Sequence, residues 1–137
     1  MPLANGIQKM TFERSGGLFP LVLSGTVLLA GATPGVESEA STGLRPLTPD
    51  ELAMFAGLDP ARLRSAASPL TPPVPDGYQW DVTLEFAGAA PIALRWHANG
   101  APPRSLAAVA PGMADLAAWV RREVDRIWAH RTGAPPP

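Results

Sequence analysis

The residues that could carry out acid–base or metal chemistry are few and scattered along the chain. The two histidines are His97 and His130, and neither belongs to an HExxH pattern or to another spacing that places two imidazoles on one metal ion. The chain has no cysteine, which excludes a disulfide framework, a thiolate nucleophile and a cysteine-ligated zinc ion. These patterns predict no metal site, no catalytic residue and no cofactor.

Hydroxyl and carboxylate residues also lack a catalytic arrangement. Ser15 and Ser105 do not lie in a GxSxG sequence. Asp81 and Glu85 share one face of a predicted strand, but at ~3.3 Å per residue they are about 13 Å apart, farther than the paired carboxylates of a glycosidase. A small enzyme that uses His97 as a base is an open alternative, against the simpler interpretation of His97 as a solvent-facing strand residue.

Length and charge narrow the class of protein further. The chain has 137 residues, 46% of them hydrophobic, which suits a single domain over residues 1–137 with a core at about residues 7–130. Lys and Arg total 11 against 12 for Asp and Glu, a net charge of −1, so we predict no nucleic-acid partner. We expect a monomer in which residues 30–47 and 65–77 are mobile loops and residues 132–137 are a disordered tail.

The most apolar run, residues 18–32 (LFPLVLSGTVLLAGA), has two interpretations. With Lys9 and Arg14 before it, it is similar to the hydrophobic region of a signal peptide. Glu13 in the preceding region and Pro20 inside the run oppose that interpretation and favour a buried strand. The run is too short to span a bilayer, so we predict no membrane partner and expect a cytoplasmic protein, with secretion as the alternative.

Alternation of apolar and polar residues predicts four strands. They cover residues 9–14, 21–29, 78–86 and 92–98, and the first two are joined by a turn at Gly16-Gly17. The third strand shows the clearest pattern, with five inward side chains: Tyr78, Trp80, Val82, Leu84 and Phe86.

Helix-start signals place the remaining elements. Thr48-Pro49-Asp50-Glu51 combines a capping threonine, a proline at the first helical position and a glutamate that can close a capping box. Asp59-Pro60 repeats the signal for a short second helix, and apolar residues at 3.6-residue spacing predict a last helix at about residues 113–129. The order ββαββα predicts an α+β fold, with an antiparallel sheet of about four strands and helices packed on one face.

The turn between the first two strands is the candidate site. Leu18 and Phe19 follow the glycines and leave the alternation of the strands, and large apolar side chains exposed on a turn are typical of a binding surface. The alternative is that both side chains tuck under the hairpin into the core. We predict a partner-binding site formed by Arg14, Ser15, Gly16, Gly17, Leu18 and Phe19.

Several motifs along the chain resemble those of one protein family. They are the strand end Phe12-Glu13-Arg14-Ser15-Gly16-Gly17, the Leu-Thr-Pro-Asp-Glu-Leu helix start at residues 47–52, the Pro-Asp-Gly-Tyr turn at residues 75–78 and the terminal helix around residues 116–128. Over residues 7–130 the chain resembles the emfourin-like proteins, bacterial inhibitors of protealysin and related thermolysin-type metalloproteases.

The resemblance implies a protein that blocks a thermolysin-like zinc protease as a folded plug over the cleft, with the zinc supplied by the protease. It implies that Leu18 or Phe19 fills the pocket for the bulky apolar residue after the scissile bond, that the two glycines allow close backbone approach, and that Arg14 lies on the rim. A non-catalytic interaction module, which docks into a larger assembly through this turn or through the polar sheet face, is the alternative.

Overall fold

A computed structural model describes residues 3–17, 21–41 and 43–135. Six antiparallel strands form one sheet in the order β4-β3-β2-β1-β5-β6. Within the described residues these strands are β1 (Ile7–Gly16), β2 (Leu23–Leu28), β3 (Gly35–Glu37), β4 (Arg45–Pro46), β5 (Tyr78–Phe86) and β6 (Ile92–His97). The α+β class is therefore confirmed.

The prediction of about four strands was wrong by two. Both extra strands, β3 and β4, lie within residues 30–47, which we predicted to be a loop. They have three and two residues, too few to show an alternating pattern, and they contain Gly35 and Pro46, which disfavour strands. Pairing with β2 stabilises β3, because Val36 lies opposite Val27 and is itself buried, and β4 pairs in turn with β3.

The helices are α1 (Pro49–Ala56), α2 (Pro60–Ser65) and α3 (Met113–Thr132), with a short 3-10 helix at Arg104–Ala108. The predicted capping box of α1 is confirmed, since the Thr48 hydroxyl accepts from the Glu51 backbone N–H and the Glu51 carboxylate accepts from the Thr48 backbone N–H. Asp59 caps α2 without a capping box, because its carboxylate accepts from the backbone N–H groups of Ala61 and Arg62. The last helix ends three residues beyond the predicted Ala129, at a glycine with positive φ, Gly133.

The core lies between one face of the sheet and the helices. Met10 and Phe12 of β1 lie opposite Leu84 and Val82 of β5, and the buried apolar side chains of all three helices belong to the same cluster. Phe12 packs edge-on against Trp119 of α3, with ring centroids 5.7 Å apart. A tightly packed core between a sheet and helices on one side fixes the end of β1 and the start of β2 at one end of the sheet.

The other face of the sheet carries polar side chains. Three threonines from neighbouring strands form one cross-strand row, because Thr11 of β1 lies opposite Thr26 of β2 and Thr83 of β5. A shallow depression of about 290 Å³ lies over this row and the next, which contains Glu13 and Asp81. No helix within the described residues is long and apolar enough to cross a membrane.

Candidate functional site

We call residues 17–22 the β1–β2 turn. Its N-terminal end, Gly17, is attached to the loop before β5. Gly17 donates its backbone N–H to the carbonyl of Gly77 over 3.2 Å. Gly16 and Gly17 have φ angles of +81° and +80°, and a Cβ at Gly17 would lie 2.5 Å from Cε1 of Tyr78. The two glycines are therefore required by the protein's own packing, because only glycine adopts this backbone cheaply and leaves room for the tyrosine ring.

The second end of the turn is attached to the last helix. Arg131 of α3 donates from Nη1 to the carbonyl of Val22 over 3.2 Å and also forms an ion pair with Glu39. The hydrogen bond from Arg131 lowers the pKa of Glu39 below its usual value. Since Gly17 and Val22 are held by different elements, both ends of the turn have fixed positions.

Arg14 does not lie on the rim of the site, as the resemblance implied. It shares the core face of β1 with Phe12 and is only 3% exposed. Its guanidinium carbon lies 4.0 Å from the ring centroid of Tyr78 and 5.6 Å from that of Trp128. The side chain therefore supports the turn from inside, where its charge contacts aromatic faces.

The guanidinium of Arg14 lacks a hydrogen-bond acceptor for one of its nitrogens among the described residues. No described residue accepts a hydrogen bond from its Nε, which is buried. Removal from water lowers the pKa of Arg14, opposed by the negative charges of the ionised Tyr78 phenolate and of Asp125. Burial also raises the pKa of Asp125, opposed by Arg121 and Arg14. Arg14 keeps its proton in spite of this, because an arginine titrates far above neutral pH.

The other predicted site residues are separated by the strand pleat. Ser15 points to the polar sheet face and lies opposite Gln79, whereas Gly16 is exposed and lies opposite Tyr78. Leu18 and Phe19 lie outside the described residues. The structure thus brings the backbone of Gly16 and Gly17 to the end of the sheet, but it places Arg14 and Ser15 on opposite faces.

Sequence reasoning missed two exposed apolar residues beside the turn. Val22 is 51% exposed and Val74 is 39% exposed, and they are the large hydrophobic side chains that stand out as exposed in the described part of the chain. Pro20 before Val22 and the prolines around Val74 were the available signals, because proline-rich segments lie on the surface.

The polar face of the sheet carries His97 and two ion pairs. His97 is half-buried, and its backbone N–H donates to the Thr71 hydroxyl. Among residues 3–17, 21–41 and 43–135 its imidazole makes no hydrogen bond, and no three His, Asp or Glu side chains are placed to share a metal ion. Asp81 pairs with Arg95 over 2.7 Å, and Lys9 pairs with Glu85 over 3.8 Å.

Comparisons of this chain with family models, with curated proteins and with solved structures give no match. Its function therefore has to be inferred from the geometry of the β1–β2 turn and of the residues that hold it.

Proposed function

We propose that this protein is an inhibitor of a thermolysin-like zinc metalloprotease and that it docks the β1–β2 turn at the protease cleft. The observation that carries the proposal is the attachment of the turn at both ends, to Gly77 on one side and to Arg131 on the other. The resemblance of residues 7–130 to the emfourin-like inhibitors supplies the class of partner.

Attachment at both ends favours tight binding for a physical reason. A flexible loop loses conformational entropy when a partner immobilises it, at roughly 1–2 kcal/mol for each backbone residue ordered. A turn whose ends are already held by the fold has lost part of that entropy before binding, so more of the contact energy becomes affinity.

Some residues at the turn hold it in place, and others are proposed to touch the protease. Gly16 and Gly17 seat the turn against Tyr78, and Arg14 packs beneath it. Leu18 or Phe19 is proposed to fill the protease pocket for a bulky apolar residue. The zinc ion belongs to the protease, and this chain contributes no catalytic group to the complex.

The direct test is the double variant Leu18→Ala/Phe19→Ala, assayed for inhibition of purified thermolysin and of a purified protealysin-type enzyme. If a large apolar side chain occupies the pocket, the inhibition constant rises at least about thirtyfold, since the loss of one buried anchor residue costs about 2 kcal/mol or more. The control is Arg62→Ala, an exposed change on α2 that leaves the turn intact. Equal inhibition by the folded double variant and the control would exclude this turn as the anchor.

A second candidate, a non-catalytic interaction module, is favoured by the polar sheet face. The depression over Thr11, Thr26 and Thr83 is open, and the helices pack on the opposite side of the sheet. A module of this kind would lose its partner in a Thr11→Arg variant and keep it in Leu18→Ala/Phe19→Ala, the reverse of the pattern expected for the inhibitor.

A further inference from the structure

A second exposed segment lies beside the β1–β2 turn. Residues 72–75 (Pro-Pro-Val-Pro) are all exposed, and the pyrrolidine rings fix φ at three of these four positions. Each residue that precedes a proline is also restricted to extended conformations. The segment is therefore a stiff, extended strip of apolar surface, which we call the proline strip.

The proline strip is held at both of its ends. On its N-terminal side, the Thr71 hydroxyl accepts from the backbone N–H of His97 over 2.8 Å, which ties the chain to the outer edge of β6. On its C-terminal side, the N–H of Gly77 donates to the carbonyl of Val74 over 2.9 Å and closes a turn. This arrangement matches that of the β1–β2 turn, which is likewise fixed at both ends.

Gly77 links the proline strip to the β1–β2 turn. A Cβ at Gly77 would lie 2.8 Å from Cβ of Val74, so Val74 packs closely against this glycine. The carbonyl of Gly77 accepts the hydrogen bond from Gly17. Val22 directly precedes β2, and Val74 packs against Gly77 directly before β5, while β1 lies between these two strands. The two exposed valines thus flank the turn.

We propose that the proline strip is a second contact for the same protease, with Val74 packed against apolar surface beside the cleft. This inference depends on the proposed inhibitory function and extends it from one loop to a surface of two loops. The supporting observation is continuity: the exposed large apolar side chains of the described residues lie on either side of the turn that is proposed to enter the cleft.

Proline suits a segment that touches a protease without becoming a substrate. A peptide bound in a cleft as an extended strand donates backbone N–H groups, and proline has none. The fixed φ angles also reduce the conformational entropy that is lost on binding. The strip therefore offers apolar contact while it disfavours the strand-like pairing that precedes cleavage.

The test is Val74→Asp, with Ala90→Asp as the matched control. Both residues are exposed in loops, but residue 90 follows β5 at the opposite end of the sheet from the turn. Inhibition constants are measured for the two variants and the wild type against thermolysin and a protealysin-type enzyme, with circular dichroism to confirm folding.

We expect Val74→Asp to raise the inhibition constant at least tenfold and Ala90→Asp to leave it unchanged. If the wild type inhibits and Val74→Asp inhibits equally well, the second contact is refuted while the inhibitory function stands. If the wild type inhibits neither protease at high concentration, both the proposed function and the second contact are refuted.

Discussion

Two arginines, Arg45 and Arg14, are shielded from solvent by different kinds of contact. Arg45 on β4 bonds both oxygens of Glu51 at 3.1 Å and pairs with Glu123 of α3. Arg14 on β1 lies against the rings of Tyr78 and Trp128, and its Nε has no partner among the described residues. The hydrogen bonds from Arg45 to Glu51 raise the pKa of Arg45, whereas burial lowers that of Arg14.

Arg45 joins several elements of the fold through ion pairs, whereas Arg14 supports the β1–β2 turn through aromatic contacts. The Arg45 cluster joins β4, the first turn of α1 and the middle of α3, and it also receives a hydrogen bond from Nε1 of Trp119 to Glu51 over 2.6 Å. Arg126 lies 3.5 Å from Glu123 and adds a second cation, so two arginines face two carboxylates and the stability depends on every member being present. Arg14 depends on aromatic contact, and its charge is not matched in the same way.

The largest expected effect follows from removing the charge at the centre of the junction. Among the described residues, Arg45→Met leaves Arg126 at 3.5 Å as the one ion-pair partner of Glu123, whose side chain is 6% exposed. Breaking a buried ion pair costs ~3–5 kcal/mol, and the remaining pair favours the lower end, so we expect a loss of about 3 kcal/mol in the free energy of unfolding. Urea denaturation measures it.

The triple variant Arg45→Met/Glu51→Gln/Glu123→Gln is the control for that prediction. It removes the negative charges of Glu51 and Glu123 together with the positive charge of Arg45. Most of the lost free energy of unfolding should therefore return. A triple variant no more stable than Arg45→Met would show that shape, and not charge, explains the loss.

Acid should weaken the Arg45 cluster next. Burial alone raises the pKa of Glu51, but hydrogen bonds from Arg45, the Thr48 backbone and Trp119 outweigh it and lower the pKa to about 2. The folded pKa lies below the unfolded value of 4.5, so this stability is present above about pH 4.5 and is lost as the pH falls towards 2.

We expect a loss on the order of 3 kcal/mol from Glu51 over that pH range, from 1.36 kcal/mol per pKa unit. Unfolding in urea between pH 6 and pH 2 should therefore show a steep acid limb in the wild type and a flatter one in Glu51→Gln. Parallel limbs would contradict the assignment of this carboxylate. Asp125 beside Arg14 has a raised pKa, so its contribution has the opposite sign.

The smallest effect is expected at Arg14. In Arg14→Met the aromatic contacts are replaced by apolar packing and the unpartnered Nε is removed, so we expect a change of less than about 1 kcal/mol. Arg14→Lys should be worse than Arg14→Met, because a compact, strongly hydrated ammonium is buried without the planar stacking surface of a guanidinium. The same urea experiment ranks them, and a Lys variant as stable as the Met variant would contradict the stacking role.

Elements with a strong local pattern were predicted correctly. The alternation from Tyr78 to Phe86 predicted β5 with the bounds that the structure has, and Thr48 with Glu51 predicted the start of α1. In both cases the signal lies within a few consecutive residues, because the strand pleat and the capping box are set by near neighbours in the chain.

Elements that depend on distant residues were missed. Glu123 falls among charged residues of the last helix and is nevertheless buried, because Arg45, 78 residues earlier, reaches it. The candidate site shows the same limit, since Arg14 was predicted on the rim but lies in the core against Trp128.

The sequence by itself determined the α+β class, the long strands and the helix starts, since each follows from periodicity or from the φ angles that a residue type allows. Only the tertiary structure decided which face Arg14 shares, which carboxylates Arg45 joins and that Gly77 and Arg131 hold the β1–β2 turn. These features depend on contacts between residues far apart in the chain, and a local sequence pattern does not predict such contacts.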